Sequence, residues 1–318
     1  MARSLGKIGL GLAGGAAKGL AHIGVLKALE EHDMAPSCIA GTSAGALIGG
    51  LYAAGLSVPD MERVVSELDG WELSKLIDLT WVRGNLVAGK AVERFLHRLV
   101  GDVRIEDLRL PYVATAVDVN SGQGYLFDSG PLVDAIRASI SIPGVFEAVA
   151  ANGSFLVDGG VRMNLPLSPL ARYRPDTLIG VGLTGADWLK TGWTRCAVER
   201  DQPPEADPDR NLWERLKARF TPEATANGEE DARGDDPPGL PFLLGQTFNI
   251  LGAQSERLEV ERTKPDLFIN LDVQEIELWE FWRGPEAVEL GYRQAQPAIA
   301  EYLRSRSGFA RLRKRIFG

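Results

Sequence analysis

Gly41-Thr-Ser43-Ala-Gly45 is a G-x-S-x-G pentapeptide. It lies between Pro36 to Ala40, whose apolar character predicts a strand, and an Ala/Gly/Leu stretch that predicts a helix ending near Gly55. A serine on so sharp a strand-to-helix turn is thrust out as a nucleophile, and the glycines let the turn close without Cβ clashes. The same residues also read as a plain glycine-rich turn with a serine at a helix N-terminus. A hydroxyl needs a base, and a triad of the α/β-hydrolase order places an acid and then a histidine after the serine. Only His97 follows Ser43, in the amphipathic run Ala91–Leu99 and ahead of the carboxylates at strand ends, while His22 and His32 precede it. All three read as structural or surface residues, so the triad fails and a carboxylate acting directly on the serine remains. Asp158-Gly-Gly160, after the apolar run Phe155–Val157, is the best candidate. Its other reading is an ordinary Asp-Gly turn.

Gly14-Gly15-Ala16-Ala17-Lys18-Gly19 also carries chemistry. The order Ala17, Lys18, Gly19 excludes a phosphate-binding G-x-x-x-x-G-K-[ST] loop. A dinucleotide fingerprint can be laid on Gly9, Gly11 and Gly14, with Glu30 or Asp33 as the ribose acid, but too little strand precedes Gly9. The favoured reading is an oxyanion hole, in which small residues at a strand-to-helix turn aim backbone N–H groups at a developing alkoxide.

The elements that must position these residues follow from periodicity. Lys7 to Leu12 predicts a strand, Leu20 to about Glu31 a helix, and the Ser43 unit repeats this strand-turn-helix order. Further helices are predicted at Val58–Leu68, Ala91–Leu99, Leu132–Ser139, Phe242–Glu261 and Pro285–Arg304. Strands are expected at Pro111–Val119, in a hairpin return ending at Phe127, and at Phe155–Val157, Thr177–Leu183 and Leu267–Val273. Consecutive strand-helix units imply a mainly parallel sheet with helices on both faces. From about 191 to 240 the chain is rich in Pro, Asp, Glu and Gly and is expected to form a mobile insertion, with an amphipathic helical stretch near Leu212–Phe220.

Composition narrows the function classes. Net charge is −8, so the molecule as a whole lacks the basic field of a nonspecific nucleic-acid binder, and no nucleic-acid partner is expected. Cys38 and Cys196 form no disulfide framework and no cysteine-based metal site; a reducing cytoplasmic setting fits. The first residues show no secretory signal pattern, and Gly41 to Leu56, the longest apolar run, is too short to span a membrane and reads as a buried helix. Residues 308–318 place Arg311, Arg313, Lys314 and Arg315 among Phe309, Leu312, Ile316 and Phe317, a pattern suited either to an anionic lipid surface or to a solvated basic terminus.

Taken in order, Gly14–Gly19, Ala21-His-Ile-Gly-Val-Leu26, Gly41–Gly45, Ser139-Ile-Ser-Ile-Pro-Gly-Val-Phe146 and Asp158–Gly160 resemble the bacterial branch of the patatin-like phospholipases. The resemblance covers about Lys7 to Leu183 and, more loosely, Phe242 to Leu303. It implies a three-layer α/β/α sandwich with a mainly parallel central sheet, forming one acyl hydrolase domain over 1–318. It also implies lipid or acyl-ester hydrolysis by a Ser-Asp dyad without metal or cofactor. Carried across, Ser43 is the nucleophile, Asp158 the base, and Gly14, Gly15, Ala16 and Ala44 the oxyanion donors. Ala16 departs from the family's usual glycine; a positive φ there would be strained. Acyl transfer by the same dyad, or a silent lipid-binding protein, is the alternative.

Overall fold

In the computed structural model, which describes residues 5–67, 89–151, 153–185 and 240–317, alternation in the first strand decides how the sheet is covered. In β1 (Ile8–Leu12) Ile8, Leu10 and Leu12 join the main hydrophobic core on one face. Gly11 lies on the other face, where a Cβ would stand 2.6 Å from the Leu167 side chain. The glycine therefore lets the chain around Leu167 settle directly on the strand.

Parallel pairing joins β1 to β2 (Cys38–Gly41) and β7 (Thr177–Gly182), β2 to β3 (Tyr112–Asp118), and β7 to β8 (Leu267–Asn270). The order across the sheet is β3-β2-β1-β7-β8. Beyond β3 the pairing turns antiparallel: β4 (Gly124–Phe127) and β6 (Ser154–Asp158) both pair with β3, and β5 (Val149–Ala151) pairs with β6. The eight-stranded sheet is thus mainly parallel with an antiparallel margin, and the expected α/β architecture is present.

Helices flank the sheet unequally. The face of Ile8, Leu10 and Leu12 is covered by α1 (Ala21–Glu31), α2 (Ala44–Ala54), α3 (Val58–Glu67), α4 (Lys90–Val100) and α5 (Leu132–Ser139), with α7 (Gly284–Phe317) packed outside α1. The α1–α7 crossing is close because Gly24 and Gly291 meet backbone: a Cβ on either would lie 2.0 Å from a carbonyl oxygen, of Val288 or Ala21. The opposite face is covered by the segment through Leu165, Leu167 and Leu170 and by α6 (Leu240–Thr263).

Most differences from the expected elements are at boundaries. Residues Ala16–Leu20 form a 3-10 turn ahead of α1, and β8 stops at Asn270, where its pairing with β7 ends at Gly182. The edge strand β5 has no counterpart in the sequence reading. The acidic insertion expected over 191–240, with its helical stretch near 212–220, lies outside the described residues up to Leu240, where α6 begins. The backbone of 308–317 continues α7.

Candidate active site

Ser43 sits between β2 and α2 with φ 53° and ψ −121°, a left-handed region unfavourable for any residue with a Cβ. The turn is held from several sides. Ser43 N–H donates to Ser139 Oγ at 2.9 Å, Thr42 N–H donates to the Leu12 carbonyl at 3.1 Å, and Thr42 Oγ1 donates to the Met163 carbonyl at 2.8 Å while sharing a 2.7 Å hydrogen bond with Thr115 Oγ1. Gly45 has no room for a side chain, since a Cβ would lie 2.3 Å from the Leu12 carbonyl oxygen. A strained elbow fixed this firmly holds the serine in one place, the geometry a nucleophile needs.

Asp158 closes β6, pairing with Ala116 of β3. It therefore reaches Ser43 from an antiparallel strand at the margin of the sheet. It is also fully buried, not exposed as an Asp-Gly turn suggests. Its Oδ1 accepts the Gly160 N–H at 2.7 Å, and its own N–H donates to the Ser141 carbonyl at 2.9 Å. Burial pushes the carboxyl up to about 7, while contact with the Ser43 hydroxyl and the Gly160 N–H works in the other direction. The Ser43 hydroxyl lies close without forming a full hydrogen bond, and among the described residues Oδ2 has no hydrogen-bond partner. A buried, unpartnered carboxylate oxygen beside a serine hydroxyl is a proton acceptor without another occupation.

The glycine loop lies against this pair. A Cβ on Gly14 would stand 3.1 Å from Ser43 Cβ, and one on Gly19 2.3 Å from Ala44 Cβ. Of the four expected donors, Gly14 is corrected: its N–H donates to the Asn164 carbonyl at 3.1 Å and so is already engaged. The N–H groups of Gly15, Ala16 and Ala44 meet no acceptor among the described residues. Ala16 adopts φ 47°, the strained conformation that an alanine in place of glycine incurs. Gly9 and Gly11 lie inside β1 with their Cβ positions filled by Pro175 and Leu167, so the dinucleotide reading has no phosphate loop to rest on. Lys18 Nζ donates to Gln274 Oε1 at 3.0 Å, and burial holds its pKa below the usual lysine value.

No histidine serves the serine. His22 is buried with Nε2 2.8 Å from the Ala13 carbonyl, and burial depresses its pKa to about 4, keeping the ring neutral. His32 bonds Gln296 Oε1 at 2.8 Å, and His97 bonds Asp102 on the surface of α4 at 2.8 Å. Two residues at the site escaped sequence reasoning as contributors. Ser139, which opens the Ser139–Phe146 block, holds the elbow N–H, and Asn164, six residues past Asp158, holds the glycine loop. Either could have been suspected from its place beside a motif, but only the fold shows what each touches.

Several known proteins and one family model match this chain. The chain is 29% identical over 334 aligned positions to an NTE family protein of Mycobacterium tuberculosis, covering 93% of this chain and 92% of that one. It is 34% identical to the lysophospholipase NTE1 of Saccharomyces cerevisiae over 185 positions, which cover 57% of this chain and 11% of the yeast protein. The solved structure of VipD from Legionella pneumophila matches with a TM-score of 0.44 and 13% identity, covering 94% of this chain and 67% of that one. The family model described as patatin-like phospholipase matches residues 10–171, which carry the glycine loop, the serine elbow and the Asp158 turn. The chain therefore belongs to the patatin-like phospholipase family.

Proposed function

We propose that the protein is a serine lipid acyl hydrolase, of the phospholipase A, lysophospholipase or esterase type, working through Ser43 and Asp158. The observation that carries this reading is the fully buried Asp158 carboxyl beside a serine on a strained elbow, its Oδ2 without a hydrogen-bond partner among the described residues. Ionised Asp158 takes the Ser43 hydroxyl proton as Oγ attacks the ester carbonyl carbon. The resulting oxyanion is met by the free N–H groups of Gly15, Ala16 and Ala44, with the α2 N-terminus adding its positive end. Collapse breaks the ester C–O bond, and Asp158 returns the proton to the leaving alcohol. Water then attacks the acyl-serine with Asp158 again accepting the proton, and as the acyl–Oγ bond breaks Asp158 gives that proton to Ser43 Oγ, releasing the fatty acid and restoring both residues. These steps need proton transfer and oxyanion stabilisation alone, so the reading calls for no metal or cofactor. The lysophospholipase name of the yeast relative supports an acyl ester of a lipid as substrate.

Labelling with a fluorophosphonate, followed by peptide mass analysis, tests the nucleophile. The modification should fall on the peptide carrying Ser43, should vanish in Asp158→Asn, and should be indifferent to EDTA. Labelling of a different serine would remove Ser43 from the role. We place the protein in the cytoplasm with peripheral contact to anionic membrane through residues 308–318, whose sequence interleaves basic and apolar side chains. Among the described residues no helix is long and apolar enough to cross a membrane.

A further inference from the structure

We propose that Glu256 is a positioning residue for the glycine loop: from α6 it holds the side-chain amide of Asn164, and that amide holds the Gly14 carbonyl. Glu256 is fully buried. Its Oε2 accepts from Asn164 Nδ2 at 3.4 Å, and its Oε1 accepts from Thr184 Oγ1 at 3.1 Å. The sheet makes room for it, since a Cβ on Gly182 would lie 2.0 Å from Oε1. The neighbouring Ser255 strengthens the grip, accepting the Asn164 N–H at 3.1 Å and donating to the Arg162 carbonyl at 3.0 Å. The side-chain amide of Asn164 in turn donates from Nδ2 to the Gly14 carbonyl at 3.3 Å, while the Asn164 main-chain carbonyl accepts the Gly14 N–H at 3.1 Å. The path from α6 to the loop that carries Gly15 and Ala16 is thus continuous and hydrogen-bonded throughout.

A fully buried carboxyl is costly, but an apolar side chain in its place also leaves one Asn164 Nδ2 proton without its acceptor, so the fold gains from one change and loses from the other. What the apolar side chain cannot do is orient the Asn164 amide. With one side of that amide released, the Gly14 carbonyl loses a fixed donor and the N–H groups after it drift from the position where an oxyanion would form. Small errors in such donors fall on the transition state and spare ground-state binding. The helix concerned lies outside the matched residues 10–171, so the loop's geometry depends on chain well beyond them.

The experiment, which rests on the hydrolase reading for its kinetic arm only, compares Glu256→Leu with Glu256→Gln in the full chain. Gln can turn its carbonyl to Asn164 and its amide to Thr184, whose hydroxyl then donates to Asn270 Oδ1, 3.3 Å away. With a soluble acyl ester, Glu256→Gln should keep kcat within about twofold, whereas Glu256→Leu should lose roughly tenfold in kcat with KM little changed, measured well below the melting temperature of each variant. Amide hydrogen exchange in the peptide spanning 13–17 should be severalfold faster in Glu256→Leu and unchanged in Glu256→Gln. Should the leucine variant fail to fold, Glu256→Met carries the same comparison with a more adaptable side chain. Wild-type kcat with unchanged exchange in the apolar variant would overturn the role, and so would a glutamine variant as impaired as the leucine one. A wild-type protein lacking Ser43-dependent turnover would overturn the hydrolase reading alone, because the exchange measurement decides on Glu256 without any turnover.

Discussion

Asp158 is a base only when ionised, and burial holds its carboxyl at about 7. The rate of acyl-ester hydrolysis, read as kcat/KM, should therefore rise with pH through about 7 and level off above it. A rate already level from pH 5 would show that the base titrates elsewhere. At Ala16, φ 47° strains the alanine by about 1 kcal/mol, and a glycine would relieve this while adding a similar entropy to the unfolded chain. Ala16→Gly is accordingly expected to retain activity and melt within about 2 °C of the native protein, whereas β-branched Ala16→Val should lose most of its activity; kinetics and thermal melts on the pair check this. Ser43 was legible because a nucleophile elbow has a local glycine signature. Asp158 was only half legible, since an Asp-Gly-Gly turn looks the same whether its carboxyl is exposed or buried. Glu256 was not legible at all: on a helix with polar neighbours a glutamate reads as surface, and its burial comes from packing against distant Asn164 and Thr184.

Among the elements, the segment from Ser139 to Ser141 braces both partners, taking the Ser43 N–H on a hydroxyl and the Asp158 N–H on a carbonyl. Ser139→Ala removes the acceptor for a buried, strained N–H, which costs about 1–3 kcal/mol. The expected result is a lower melting temperature together with a fall in kcat larger than any change in KM. A variant with native melting and native kcat would show that the elbow holds itself. Helix and strand positions near the N-terminus followed from apolar periodicity, because β1, α1, β2 and α2 are local units. The antiparallel margin did not, because β6 meets β3 across roughly forty residues of sequence and β5 is a three-residue edge strand.

For the molecule as a whole, the site carries a stability cost that depends on pH. Asp158 and Glu256 both have folded pKa values near 7, raised from 3.8 and 4.5 by burial. A carboxyl whose pKa is raised on folding favours the fold fully below its unfolded value, and that favour is lost as pH rises through about 7. His22 acts oppositely between about 4 and 6.5, where its depressed pKa lets stability grow with pH. Asp158→Asn isolates one of these contributions: it should melt roughly 5 °C higher than the native protein at pH 8, with the gap roughly halved near pH 5 and closed only below about pH 4. Equal melting at pH 8 would mean that Asp158 ionises without cost. A chain ending at Ser307 should bind anionic liposomes more weakly and with less salt sensitivity than the full chain, with soluble-ester hydrolysis unchanged. Equal co-sedimentation would dismiss residues 308–318 as an anchor.

The central claim is a serine served directly by an aspartate, and steady-state kinetics on a soluble acyl ester test it most directly. Ser43→Ala and Asp158→Asn should each lower kcat/KM by on the order of 10³ or more, the double variant should be little worse than either, and His97→Ala should stay within roughly tenfold of native. A His97→Ala enzyme as inactive as Ser43→Ala, or an Asp158→Asn enzyme with near-native turnover, would contradict it.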